Sequence, residues 1–248
     1  MSIEDALHAE YVGFLQKAER ERRWSVFDDL PWERGQSTSP ETLQFVHELG
    51  RVKSALVFAL GLGPAIAAES QACADFRAAW LFEESRHRLA LSDWLLRTEL
   101  GDVPPPESVR SSTCPPWARC AETPRERAVL GYLTEMTTFS ACAARRSATP
   151  ADPCLRRLLD FVARDDIAHA RFFEAALRIT AEDDAAGTTL DVTRVAAAFV
   201  ATAPLLSRQD VELKIVRPLA SRLGDAASKL GVKRRREASA RRAETEPS

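Results

Sequence analysis

Two acid-x-x-His pairs carry the clearest chemical signal in this sequence, Glu84 with His87 and Asp166 with His169. A spacing of three residues places the acid and the imidazole one helical turn apart on the same face, within reach of one metal ion. Each pair interrupts a series of apolar residues that recurs every three or four positions. Because such a series marks the buried face of a helix, both pairs are predicted to face the core.

Two further apolar series are each interrupted by a single glutamate, Glu135 in one and Glu48 in the other. The series around Glu48 is formed by Phe45, Val52, Leu56 and Ala59. A carboxylate buried in an apolar bundle costs several kcal/mol unless a positive charge compensates it. The predicted core therefore needs a source of positive charge beside these acids.

A pair of divalent cations provides that compensation, because the two ions carry +4 and four carboxylates carry −4. One glutamate from each of two helices, with an acid-x-x-His pair from each of the other two, is the dinuclear site of ferritin-like four-helix bundles. The predicted metal ligands are Glu48, Glu84, His87, Glu135, Asp166 and His169.

The elements that position these side chains are predicted to be helices, because alternating strand patterns are scarce and Ala, Leu, Arg and Glu dominate long segments. Three helix starts are marked by Ser39-Pro40, Thr123-Pro124 and Asp152-Pro153, in which an N-cap residue precedes a proline. We predict an all-α fold, a ferritin-like four-helix bundle with additional N- and C-terminal helices. The bundle helices are predicted over 40–60, 65–99, 124–147 and 153–182.

Residues 1–232 are predicted to form a single ferritin-like diiron domain, because no linker divides them into comparable halves. Its predicted parts are an N-terminal strap over 1–38, the bundle over 39–182 and C-terminal helices over 189–231, broken near Pro204 and Pro218. The last stretch, 233–248, is basic and lacks large apolar residues, so we predict a disordered tail.

The composition argues against several classes of protein. The 248 residues carry 34 basic and 36 acidic side chains, and a net charge of −2 is not typical of a nucleic-acid binder. The five cysteines form no Cys-x-x-Cys pair and are predicted to be reduced thiols. No apolar run opens the chain, and the longest one is too short to cross a bilayer. We expect a soluble, cytoplasmic protein with no nucleic-acid or membrane partner.

The order of the motifs resembles that of the soluble acyl-carrier-protein desaturases. The motifs are a single glutamate, Glu-Glu-Ser-Arg-His at 83–87, Glu135 followed by Thr138, and Asp-Asp-Ile-Ala-His at 165–169. The stretch from Phe76 to Leu95 is similar to that family's most diagnostic segment, and the resemblance covers roughly residues 20 to 220.

The resemblance implies a diiron enzyme that activates O₂ and introduces a double bond into an acyl chain carried on acyl carrier protein. It further implies a ferredoxin-type electron donor and, by analogy alone, a homodimer. The six predicted ligands fall at the family's ligand positions, Thr138 at a catalytic position near the oxygen-binding side, and Asp165 where it would orient a ligand imidazole. Asp166 departs from the family, which uses glutamate there.

Two other functions remain open from the sequence. The first is a ferritin-like diiron monooxygenase of specialised metabolism that hydroxylates or N-oxygenates its substrate. The second is an iron-binding protein of the same fold without turnover. Carboxylate and imidazole ligands suit manganese as well as iron, so a Mn/Fe centre is an alternative to two iron ions.

Overall fold

The computed structural model describes residues 2–34, 39–61, 70–98, 116–148, 152–181, 184–203 and 205–224. Within these ranges the ordered elements are helical and none is a strand, which confirms the predicted all-α class. The predicted basic tail, 233–248, and Cys114 lie outside the described residues. None of the helices in the described ranges is long and apolar enough to cross a membrane.

Six longer helices follow one another along the described parts of the chain. They are α1 (Ile3–Glu21), α2 (Pro40–Gly61), α3 (Gln71–Arg97), α4 (Pro124–Ala148), α5 (Pro153–Ala181) and α6 (Ala185–Thr202). The last element, α7, begins with Arg208–Val211, passes through a π-helical turn at Glu212–Val216 and remains helical over 217–224. Short 3₁₀ turns lie at Trp32–Arg34 and Pro116–Arg119.

The three predicted helix starts are confirmed by their capping hydrogen bonds. The side chains of Ser39, Thr123 and Asp152 accept bonds from the backbone N–H three residues later, at 3.3, 3.2 and 2.8 Å. In each case a proline follows at the first helical position, where its missing N–H leaves no bond unmade. Local capping chemistry therefore sets where α2, α4 and α5 begin.

Helices α2 to α5 form the bundle, and side-chain contacts show the relative directions of α3, α4 and α5. Along α3 and α5, Trp94 bonds Asp152 while Phe76 stacks on Phe172, so residue numbers rise on one helix as they fall on the other. The contacts Thr138–Asp166 and Arg146–Asp160 show the same antiparallel relation between α4 and α5. Helix α1 packs across α3 and α5, and α6 packs on α4 and α5.

Two apolar clusters fill the bundle, one toward each end. The first contains Phe76, Trp80 and Leu177, and the second contains Trp94, Leu155 and Leu159. Both acid-x-x-His pairs lie between these clusters along α3 and α5. The core is thus apolar at both ends and charged in the middle, which positions the chemistry away from solvent.

The segment after α1 packs against the bundle. Trp24 is buried, stacks on Phe161 at 4.7 Å between ring centroids and donates from its indole N–H to Asp165. The predicted break in the C-terminal helices near Pro218 is not observed. The chain stays helical there, and the π turn just before Pro218 changes the hydrogen-bond register that the proline cannot complete.

Candidate metal centre

Five of the six predicted ligands meet at the middle of the bundle. Helix α3 contributes Glu84 and His87, α4 contributes Glu135, and α5 contributes Asp166 and His169. All five side chains have 0% solvent exposure. The spacing of three in each acid-x-x-His pair therefore brings acid and imidazole to one buried cluster, as the sequence analysis expects.

The sixth predicted ligand, Glu48, does not reach this cluster. Its side chain is 33% exposed and pairs with Arg51 on the surface of α2 at 3.0 Å. The apolar series that suggested its burial differs from the buried face of α2, which follows Val46, Leu49, Lys53, Leu56 and Leu60. Helix α2 is apolar on more than one side, so two different series can be traced along it.

Helix α2 instead contributes Lys53 to the centre. Its ammonium nitrogen lies 2.6 Å from Asp166 Oδ1, 3.0 Å from Glu84 Oε1 and 3.2 Å from Glu135 Oε2. Burial disfavours the charged amine, but the three carboxylates outweigh burial and hold the pKa of Lys53 well above its usual range. A buried ammonium ion therefore joins all three carboxylates of the cluster.

A further carboxylate bonds the outer ring nitrogen of each imidazole. The Nε2 atom of His87 bonds Asp165 Oδ2 at 3.1 Å, and the Nε2 atom of His169 bonds Glu83 Oε2 at 2.6 Å. This arrangement turns the Nδ1 atom of each ring toward the cluster. Metal-ligating histidines are typically fixed in this way by an acceptor on the outer nitrogen.

Two arginines balance these outer carboxylates. Arg22 lies 3.3 Å from Glu83 and 3.7 Å from Asp165, while Arg86 lies 3.2 Å from Asp165 and 3.8 Å from Glu83. The four groups carry a formal charge of zero together. These four outer groups therefore contribute no net charge. The charge of the inner carboxylates has to be compensated by groups inside the inner cluster.

Two neutral side chains donate hydrogen bonds to two of the inner carboxylates, Asp166 and Glu135. Thr138 donates to Asp166 Oδ2 at 2.6 Å while its oxygen also lies 3.1 to 3.2 Å from carbonyl oxygens of its own helix. The indole N–H of Trp80 donates to Glu135 Oε1 at 2.7 Å. Thr138 thus contacts a candidate ligand directly, and its catalytic role stays a prediction.

The electrostatics of the metal-free cluster favour protonated imidazoles. Burial lowers the pKa of His87, yet Glu84 and Asp165 overcome burial and raise it to about 9. For His169 burial acts in the same direction, and Glu135 and Glu83 raise the pKa to about 10. Burial raises the pKa of Asp166 to about 7 against the attraction of Lys53. A metal ion that binds here has to replace imidazole protons.

The donor set fits a divalent cation. Glu84, Glu135, Asp166 and His169 each offer a ligand atom, and these atoms all lie within 4.8 Å of one another. Two buried atoms of this set, Glu84 Oε2 and His169 Nδ1, have no hydrogen-bond partner. Buried polar atoms without a partner are uncommon, and an absent ion is one of their ordinary explanations. Carboxylate oxygen and imidazole nitrogen suit iron and manganese alike.

Sequence reasoning did not identify Lys53 and Glu83 as parts of this centre. Glu83 directly precedes Glu84, and only its position on the edge of the buried face of α3 separates it from a surface acid. Lys53 does leave a signal, because it is a charged residue three to four positions from Leu49 and Leu56 in a strongly apolar helix. A lysine in such a series is predicted to face carboxylates.

An apolar cavity of about 240 Å³ adjoins the centre. Phe76, Phe172 and Phe173 form part of its wall, and Arg77 and Arg127 line it too. Trp80 lies between the cavity and the centre, since its ring lines the cavity and its indole N–H bonds Glu135. The cavity therefore approaches the metal centre through Trp80.

Comparisons with known proteins establish the fold class. No protein-family model and no curated protein sequence matches the chain. Among solved structures, the acyl-ACP desaturase DesA2 from Mycobacterium tuberculosis H37Rv is 19% identical, with a TM-score of 0.55 and 92% of this chain and 94% of that chain covered. A mutant of R2-like ligand-binding oxidase with an anaerobically reconstituted Mn/Fe cofactor is 18% identical, with a TM-score of 0.60 and coverages of 90% and 93%.

The chain therefore has a ferritin-like helical bundle, which confirms the predicted fold. Its buried Glu/Asp/His cluster lies in the middle of that bundle and could bind metal. Fold and site together define a ferritin-like helical bundle with a buried cluster of carboxylates and imidazoles that could hold metal.

Proposed function

We propose that this protein is a metal-dependent oxidoreductase that uses O₂. The observation that carries the proposal is the buried cluster of three carboxylates and two imidazoles, in which each imidazole is held on its outer nitrogen by a carboxylate. Iron or manganese held by such ligands would supply the redox chemistry that O₂ activation requires.

Different residues would hold the metal, orient its ligands and exclude water. Glu84, Glu135, Asp166 and His169 would hold the metal, while Glu83 orients His169 through its Nε2 atom. Thr138 fixes one oxygen of Asp166 by donating to it. The apolar clusters on both sides exclude water, which strengthens these electrostatic interactions and protects a reactive oxidant from side reactions.

The adjoining cavity supports an apolar chain as the substrate. Its aromatic wall suits methylene groups, and its two guanidinium groups suit an anionic group at one end of the molecule. We propose an acyl chain, tethered to acyl carrier protein or another carrier, from which the enzyme removes two hydrogens. A ferredoxin-type protein would supply the electrons.

A monooxygenase that acts on a similar acyl chain differs from a desaturase only in the last step of the reaction. Displacement of the substrate by about 1 Å decides between removal of a second hydrogen and transfer of oxygen. The mass of the product separates these outcomes, because desaturation removes two hydrogens and hydroxylation adds one oxygen.

The test is O₂ consumption by protein reconstituted anaerobically with Fe²⁺ and supplied with a chemical reductant. We expect consumption to rise when an acyl carrier protein bearing a long acyl chain is added, and to be lost in His169→Ala. His8→Ala is the matched control, since His8 is an exposed residue of α1. Iron uptake without substrate-dependent O₂ consumption would overturn the proposal in favour of a non-catalytic iron-binding protein.

A further inference from the structure

Lys53 lies among the groups that would otherwise surround metal ions. Its side chain is fully buried, and its nitrogen is within hydrogen-bond distance of Glu84, Glu135 and Asp166. An ammonium group has three N–H donors, so each donor has one carboxylate partner. The side chain is thus held at the centre by all of its polar contacts.

The charges of the inner cluster leave room for one divalent cation. The three carboxylates contribute −3 and Lys53 contributes +1, which leaves −2 when both imidazoles are neutral. One divalent cation reduces this sum to zero. A second would leave +2 in a fully buried place, where uncompensated charge is strongly unfavourable.

The outer groups do not change this count. Glu83 and Asp165 are already paired with Arg22 and Arg86, so they offer no further negative charge. Glu48, which would restore a fourth carboxylate, lies on the surface beside Arg51.

The open ligand atoms agree with a single ion. Glu84 Oε2 and His169 Nδ1 lack hydrogen-bond partners, and both residues belong to the group of four whose ligand atoms lie within 4.8 Å. In contrast, the Nδ1 atom of His87 already bonds Glu84 Oε1 at 3.0 Å. Of the two inward imidazole nitrogens, only that of His169 is therefore free to bind an ion.

We infer that Lys53 takes the place of one of the two metal ions of a dinuclear bundle. The centre then binds a single divalent cation through Glu84, Glu135, Asp166 and His169. This inference rests on the proposed function only in requiring that the cluster bind metal.

The experiment is a count of metal ions per chain. The full chain is stripped with a chelator, reconstituted anaerobically with Fe²⁺ or with Mn²⁺, desalted and measured by mass spectrometry of the metal. We expect about one ion per wild-type chain and about two in Lys53→Glu, because the new carboxylate restores the set of four. Lys17→Glu makes the same charge change at an exposed position of α1 and should keep the wild-type count.

Each outcome decides the matter. Two ions in the wild type would overturn the inference and leave the proposed function standing, whereas no ion would overturn both. One ion in both the wild type and a folded Lys53→Glu would show that another feature limits the count, and would overturn the inference. If Lys53→Glu does not fold, Lys53→Gln replaces it, with a count above the wild-type value expected.

Discussion

At the scale of single residues, Lys53 determines what α2 contributes to the centre. A helical bundle with four inward carboxylates needs +4 from bound ions, whereas three carboxylates with one ammonium need only +2. A buried base on α2 in place of a fourth inward acid thus lowers the positive charge that the cluster needs from bound ions. It also gives the metal-free bundle a resident counter-charge.

Glu83 provides a test of how the centre is oriented. Glu83→Gln removes the charge that holds His169 Nε2, and the affinity for Mn²⁺ should fall by about 10- to 100-fold, the usual effect of losing such a partner. Isothermal titration of the metal-free protein measures this change.

Asp165→Asn is the matched control for Glu83→Gln. It alters the equivalent contact of His87, which is not among the four residues whose ligand atoms lie within 4.8 Å of one another, so it should cost less affinity. Equal losses in the two variants would contradict the assignment of the metal to the His169 half of the centre.

The sequence predicts some of these residues better than others for a physical reason. The acid-x-x-His pairs combine two independent signals, a metal-ligand spacing and an apolar series, and the structure brings all four residues together. Glu48 had the series alone. In α2 the apolar residues occupy several faces, so periodicity could not distinguish the face of Glu48 from that of Lys53.

At the scale of helices, capping chemistry decides what the sequence can predict. The starts of α2, α4 and α5 follow from a capping side chain and a proline, both of which act within one turn. Helix α3 begins at Gln71 rather than near 65, because Ser70 caps it through the N–H of Cys73. The Ala-Ile-Ala-Ala-Glu sequence at 65–69 suits a helix and conceals that boundary in the sequence.

The N-terminus of α4 supplies a prediction with a defined pH dependence. Burial raises the pKa of Glu126, but the backbone N–H groups of Thr123 and Glu122 outweigh burial and lower it, with help from Arg194. A lowered pKa means that the ionised group stabilises the fold above the unfolded-state pKa and that this contribution is lost as the pH falls through the folded-state value.

Glu126→Gln should therefore reduce the free energy of unfolding by about 1 to 2 kcal/mol at pH 7. The difference from the wild type should shrink below about pH 4, near the usual pKa of a glutamate. Urea titrations at several pH values measure it. A difference that stays constant down to pH 3 would show that the charge of Glu126 does not cause the effect.

At the scale of the whole molecule, the helical fold and the charged site in its core depend on different residues. The bundle matches an acyl-ACP desaturase and an R2-like ligand-binding oxidase over nearly their full lengths at below 20% identity. Such likeness is produced by helix lengths, caps and apolar faces, which many sequences satisfy. The charged middle of the core is set by a few side chains, and there this chain places Lys53.

The near-neutral net charge of the chain, −2, does not show how charge is distributed inside the bundle. Inside the bundle the outer carboxylates and arginines cancel, while the inner carboxylates exceed Lys53 by two charges. When both imidazoles are neutral, one divalent cation balances that local excess. The central question is therefore whether the cluster binds an ion.

Anomalous X-ray diffraction from crystals of the Fe²⁺-reconstituted protein, recorded on both sides of the iron absorption edge, tests this directly. We predict one iron peak per chain, bounded by Glu84, Glu135, Asp166 and His169, with the Lys53 ammonium still beside the carboxylates. A folded protein whose bundle contains no iron peak would contradict the account.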